Sequence, residues 1–193
     1  MARPIGYDPK QVIFRAMNVF WEKGYETTSI TDIVNATGLK PGSLYNIYGS
    51  KEGIFEAVLD MYSKINLEHI ENLLFKGDDA LENIELFLNK AVINTISNEN
   101  TNGCLLVKTL LVVPHKDKKV QDFVTTVYTQ IEELLKKALI KAVENEQTKV
   151  DPEYFSKFII TTIYGAHVYH KINRDTDALN ESVNILLGIL KNR

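Results

Sequence analysis

Helical periodicity, with apolar residues three and four apart, runs almost end to end along the chain. Asp8-Pro9 supplies an N-cap followed by proline at the first helical position, where its missing N–H costs nothing. Val12, Ile13, Ala16, Met17, Val19 and Phe20 follow, so a first helix is expected up to Gly24. Ser29-x-x-Asp32 has the form of a capping box, opening a short helix that ends at Gly38. Pro41 opens a second short helix, ended by Gly49. Ser50 then caps a long one, with Ile54, Phe55, Val58, Leu59, Tyr62, Ile65, His69, Ile70 and Leu73 on one stripe.

Gly77 interrupts the pattern and Asp79-x-x-Glu82 restarts it. Leu81, Ile84, Leu88 and Val92 carry it to a polar run at 97–103, the most loop-like segment of the chain. Residues 104–113 are apolar on nearly every side, which predicts a buried helix stopped by Pro114. Val120, Phe123, Val127, Ile131, Leu134, Ala138 and Ala142 mark a long helix. Asp151-Pro152 caps the next, and Leu179, Val183, Leu186, Leu187 and Leu190 mark the last. The expected fold is all-α, with about nine helices.

Composition narrows the function. At 193 residues, 45% apolar and 24% charged, the chain is an ordinary globular one, neither disordered nor collagen-like. Ten Gly and five Pro leave little material for the turns of an all-β protein. A single cysteine, Cys104, excludes a disulfide framework and a zinc site of cysteine pairs. The longest apolar stretch, 104–114, contains Lys108 and is too short to cross a bilayer. Residues 1–8 lack the apolar core of a signal peptide, so a cytoplasmic protein is expected. No glycine-rich phosphate loop, HExxH or G-x-S-x-G occurs, and an enzyme is not expected. His167 and His170 lie three apart without a cysteine or carboxylate partner, so neither metal nor cofactor is expected.

Residues 27–55 differ from the rest. Two short helices meet at Ala36-Thr37-Gly38-Leu39, and a long helix follows at once. Helix, tight turn with Gly, second helix is the pattern in which the second helix enters the major groove of DNA. Lys40, Ser43, Tyr45 and Asn46 cluster on that helix and Lys51 stands in the first turn of the next. Asn pairs with adenine, while Lys and hydroxyl groups suit phosphates. The same pattern also fits a plain helical hairpin with solvated polar residues.

The segment TTSITDIVNATGLKPGSLYNIYGSKEGIF resembles the DNA-binding signature of the tetracycline-repressor (TetR) family of bacterial regulators. The matching features are TS-I--I-----G followed by G-LY--Y-SKE--F. The first helix, with Phe20 and Gly24-Tyr25, resembles that family's as well. The resemblance implies a helix-turn-helix domain at 1–50 and a helical effector-binding and dimerisation domain at 51–193. It implies that Thr27, Ser29, Tyr45 and Lys51 touch phosphates and that Lys40, Ser43 and Asn46 face bases or nearby phosphates. Leu39, Leu44 and Tyr48 would hold the unit together, and Arg3 would sit on an arm able to reach a minor groove. Pro41 departs from the family pattern, where a basic residue is common.

The implied partners are an operator in double-stranded DNA, a second copy of the chain and a small-molecule effector. Two helical stripes would form the dimer seam: Phe155, Phe158, Thr162, Ala166 and Tyr169 on one helix, Leu179, Val183, Leu186 and Leu190 on the last. The same stripes would also serve as the protomer's own core. Tyr62, Phe87, Cys104, Phe123, Tyr128, Tyr164 and His167 are candidate effector contacts or ordinary core, and an apolar or aromatic effector is the default. Cys104, after the polar loop at a helix start, is either a packing residue or an electrophile sensor. A DNA binder without an effector stands as a further alternative. Residues 1–65 carry seven basic and seven acidic groups, so the net charge of -3 belongs to the remainder. A neutral head binds arbitrary DNA weakly, and specificity must rest on placed contacts.

Overall fold

Aspartate and serine caps set where the helices begin. A computed structural model describes residues 7–94, 104–112 and 118–192. The Arg3 arm, the loop at 97–103 and the stop at Pro114 lie outside the described residues. Asp8 accepts from the Lys10 N–H at 2.9 Å and opens α1 (Pro9–Lys23), with Pro9 in its first turn. Ser29 opens α2 (Ile30–Thr37) with both halves of the capping box made. Then come α3 (Pro41–Tyr48) and α4 (Lys51–Leu74). Asp79 caps α5 (Ala80–Leu88), which runs into a π-helical turn, Asn89–Asn94. The remaining helices are α6 (Leu105–Val112), α7 (Lys118–Glu144), α8 (Pro152–Asn173), capped by Asp151, and α9 (Thr176–Lys191), capped by Asp175. The fold is all-α, with nine α-helices and no strand among the described residues.

The chain divides into two compact units, residues 1–65 with 108–122, and residues 66–107 with 123–193. The division falls inside α4, α6 and α7. The first unit is built on Val12, Ile13, Ala16, Met17 and Phe20 of α1, Ile33 of α2, Leu44 of α3, and Ile54, Phe55, Val58 and Leu59 of α4, all buried. Trp21 packs edge-on against Tyr62, and Lys108 donates to the Trp21 carbonyl at 3.1 Å. Further along α4 the expected stripe is broken: Ile65 and His69 are exposed, and Ser63 is buried in their place.

The second unit has its core in Ile84, Phe87 and Leu88 of α5, Leu105 and Leu106 of α6, and the inward faces of α7, α8 and α9. On α7 the buried row is Val124, Val127, Ile131, Leu135, Ala138, Leu139 and Ala142, while Phe123 and Leu134 are only half-buried. Glu153 at the start of α8 pairs with Lys136 of α7 and, at 2.5 Å, with Lys157 one turn on. These hydrogen bonds, Lys136 foremost, pull the Glu153 acid from its ordinary 4.5 to about 2. A depressed carboxylate stabilises the fold above its unfolded value and ceases to as pH falls through the folded one. The Tm difference between wild type and Glu153→Gln is therefore expected to be largest above about pH 4.5 and to narrow toward pH 2. A gap constant across that window would refute the pairing.

Candidate nucleic-acid interface

The helix-turn-helix is held by short-range hydrogen bonds that its own sequence supplies. The Ser29 hydroxyl accepts from the Asp32 N–H at 3.1 Å, and Asp32 accepts from the Ser29 N–H at 2.9 Å. Lys23 reaches Asp32 from the end of α1 at 2.5 Å. That ion pair, with the two Ser29 contacts, holds the Asp32 acid far below the ordinary carboxylate range. Gly38 ends α2 at φ 74°, a left-handed position where a side chain would be strained. The buried Thr37 hydroxyl donates to Ile33 O at 2.7 Å and accepts from the Leu39 N–H at 3.3 Å, fixing the turn. Pro41 then starts α3, with Lys40 as an N-cap whose side chain makes no cap bond.

Helix α3 turns Leu44 fully inward, with Tyr48 and Leu39 half-buried beside it. Its outer face carries Lys40, Tyr45 and Asn46, all exposed, with Ser43 at its edge. Ile47, 42% exposed, belongs to the same surface, a position that the sequence pattern does not mark. Its side chain suits the methyl group of thymine, the apolar feature of the major groove. Thr27 and Ser29 are exposed too, but each hydroxyl is already donated, to Lys23 O and to Asp32 Oδ2 respectively. Contact with a phosphate oxygen, which is an acceptor, requires those protons to be redirected.

The junction of α3 and α4 is unusually close. Gly49 adopts φ 78° and donates to Tyr45 O at 2.8 Å, and the Ser50 N–H donates to Tyr48 O at 2.9 Å. The Ser50 hydroxyl accepts from the Gly53 N–H at 3.2 Å, capping α4. A Cβ built on Gly53 would lie 2.0 Å from the Tyr48 carbonyl oxygen, so only glycine fits there. Lys51 stands beside this junction, its ammonium 3.4 Å from Glu26 O and 4.6 Å from the centre of the Tyr25 ring. Glu52, the next residue, has its acid lowered by the Ser50 hydroxyl first, then by its own backbone N–H and the Tyr25 hydroxyl.

In the second unit the candidate effector contacts separate into distinct environments. Tyr128 and Tyr164 form an edge-on pair 4.4 Å apart. The Tyr164 hydroxyl is buried without a hydrogen-bond partner among the described residues. Desolvation, with smaller contributions from Cys104 and Glu132, pushes its ionisation well above the usual phenol range. Cys104, half-buried, stands directly before α6. Burial lowers the His167 imidazole's proton affinity, partly offset by a hydrogen bond with the Ala91 backbone. Phe87 is core and Phe123 is half-buried, whereas Tyr62 belongs to the first unit. Glu132 is a charge that the apolar pattern of α7 did not reveal. Among the described residues no three His, Cys, Asp or Glu side chains gather as metal ligands.

The two helical stripes assigned to a dimer seam behave differently. On α8, Phe158 and Tyr169 are exposed and Phe155 and Thr162 half-buried, but Ala166 faces inward. On α9 the stripe fits the alternative that the sequence pattern left open. Leu179, Val183, Leu186 and Leu190 are all buried in the protomer's own core, because α9 packs that stripe against α8, α5 and the π-helical turn. The outward apolar residues are Ile185, 60% exposed, and Ile189, with Gly188 between them. Tyr154, Phe158, Gly165, Val168, Tyr169 and Ile172 continue an exposed row along α8, and Ile172 is 74% exposed.

The profile described as "Bacterial regulatory proteins, tetR family" matches residues 13–58. That described as "Tetracyclin repressor-like, C-terminal domain" matches residues 80–186, more than half of the chain. The chain belongs to the tetR family of bacterial regulators. Among its relatives, the HTH-type transcriptional repressor ComR of Escherichia coli (strain K12) is 36% identical over 106 residues, 54% of this chain and half of ComR. The uncharacterized HTH-type transcriptional regulator YezE of Bacillus subtilis (strain 168) is 23% identical across 98% of this chain and all of its own length. A cysteine mutant of the TetR family regulator CifR, solved complexed with 26bp double-strand operator DNA, superposes with a TM-score of 0.82. It is 26% identical and covers 98% of this chain and 100% of its own.

Against the family background, the sequence marks Tyr25 only as part of the first-helix resemblance, and the stripes read from it leave Gly53 and the outward isoleucines unmarked. Gly53 carries no periodic signal, since a glycine in the first turn of a helix reads as neutral. Ile185 and Ile189 are four apart, the spacing that marks a helical face, and that signal was in the sequence.

Proposed function

We propose that the protein is a dimeric, ligand-responsive transcriptional repressor that binds a palindromic operator and is released by a small apolar or aromatic effector. The observation carrying this reading is the exposed row Lys40, Tyr45 and Asn46 on α3, beside Lys51 at the α4 N-terminus, in a tetR-family chain. Backbone N–H groups at that helix start add a favourable site for a phosphate. The functional division is placed at residues 1–50 for the reading head and 51–193 for effector binding and dimerisation. Thr27, Ser29 and Ser43 support the head at its edges. In this reading the protein works in the cytoplasm and catalyses nothing. No helix among the described residues is long and apolar enough to cross a membrane.

Two heads related by a two-fold axis read half-sites about 34–36 Å apart, one turn of DNA. The test is a titration of duplex DNA from the region upstream of the protein's own gene. Tyr45→Phe and Lys51→Ala each remove a phosphate contact, so binding should weaken alike on every sequence, and Lys51→Ala, which removes a charge, should also make the salt dependence shallower. Asn46→Ala should instead relax preference at one base pair, by about 1–3 kcal/mol. Unchanged operator affinity in both Tyr45→Phe and Lys51→Ala would overturn these assignments.

A further inference from the structure

We infer that Tyr25 is a positioning residue for DNA binding, holding Lys51 in place to meet a phosphate while restraining the neighbouring carboxylate of Glu52. The inference rests on the DNA-binding role of Lys51 proposed above. Tyr25 follows Gly24, whose φ of 84° turns the chain out of α1, and its ring lies in the cluster of Phe20 and Phe55, with centroids 6.1 and 4.6 Å away. The cluster fixes the ring, and the ring offers a π-face to the Lys51 ammonium at 4.6 Å. A lysine side chain in water samples many rotamers, and each must be given up on binding. Here the cation is pre-placed by an interaction that uses none of its three N–H donors. Glu26 O takes one of those donors at 3.4 Å.

The same side chain acts on the opposite charge. Its hydroxyl donates to Glu52 Oε1 at 2.9 Å. Glu52 follows Lys51 directly and is exposed, so an unrestrained carboxylate there would compete with phosphate for the ammonium and repel the DNA backbone. The Tyr25 and Ser50 hydroxyls instead hold that carboxylate in hydrogen bonds of its own.

The experiment measures duplex binding against salt for Tyr25→Leu, Tyr25→Phe, Lys51→Ala and the double variant Tyr25→Leu/Lys51→Ala. Removing one lysine–phosphate pair lowers the slope of log K against log salt by about 0.9, hence about 1.8 for two heads. Lys51→Ala should show that drop. Tyr25→Leu, which keeps apolar packing but removes both the π-face and the hydroxyl, should show most of it, and Tyr25→Phe, which keeps the π-face but frees Glu52, should fall between Tyr25→Leu and wild type. In the Lys51→Ala background, Tyr25→Leu should lower the slope no further. A residue that only packs the head would weaken binding without touching the slope. A wild-type slope in Tyr25→Leu, or additive effects in the double variant, overturns the inference while leaving Lys51 as a DNA-binding residue. An unchanged slope in Lys51→Ala removes the phosphate pairing itself and the inference with it. NMR of the unmodified protein serves if Tyr25→Leu does not fold. The Lys51 ε-methylene protons should be shifted upfield by the ring, and random-coil shifts would sink the proposal.

Discussion

Replacing Gly53 with alanine is expected to unseat the DNA-reading head. The new methyl group would fall 2.0 Å from the Tyr48 carbonyl oxygen and 3.1 Å from its carbon. Both are backbone atoms at the end of α3, and that carbonyl also accepts the Ser50 N–H. Nothing flexible can yield, so the junction must open. Overpacking against rigid backbone stands at the upper end of such costs, about 3 kcal/mol or more. For a chain of this size that lowers the Tm of the transition containing the head by roughly 6–12 °C. Operator binding should disappear in parallel, because α3 and Lys51 are placed by the same junction. Gly42→Ala is the control: a Cβ there meets nothing within 4 Å, so fold and Tm should be preserved. A Gly53→Ala protein as stable as Gly42→Ala would show that the α3–α4 junction is looser than described.

The second large effect lies on the opposite terminus. Ile172 and Ile185 are exposed apolar residues on the outward faces of α8 and α9, where the proposed dimer would bury them. Ile172→Glu combined with Ile185→Glu should give a monomer by light scattering, since two carboxylates per protomer would be buried without partners. Each head then binds its half-site alone. Without the linked second binding event, operator affinity falls by about a hundredfold or more. Leu186→Ala is the contrasting variant. Leu186 is 1% exposed within the protomer, so its truncation should cost about 2–5 kcal/mol of fold stability. It should leave a folded dimer at temperatures well below its Tm. If Leu186→Ala dissociates the dimer and the double glutamate variant does not, the seam lies on the inward stripe as the sequence pattern suggested.

Features whose partners lie within a few residues are legible in the amino-acid order alone. Asp8, Ser29, Asp79 and Asp151 cap N–H groups two or three positions ahead, so cap and helix start could be read together. The turn at Gly38 and the motif from Thr27 to Phe55 are equally local, and they carry the resemblance to the family by themselves. The π-helical turn at Asn89–Asn94 leaves no mark in the sequence, because its apolar residues fit the spacing of an α-helix. Which face of α9 is core depends instead on the packing of helices distant in sequence. That helix has apolar residues on two sides, and periodicity identifies a face without saying what it meets. Tertiary structure likewise decided the roles of Gly53, Tyr25 and Glu52. Their contacts depend on how α4 crosses α3 and the end of α1, and a crossing geometry follows from the packing of whole helices rather than from any single residue.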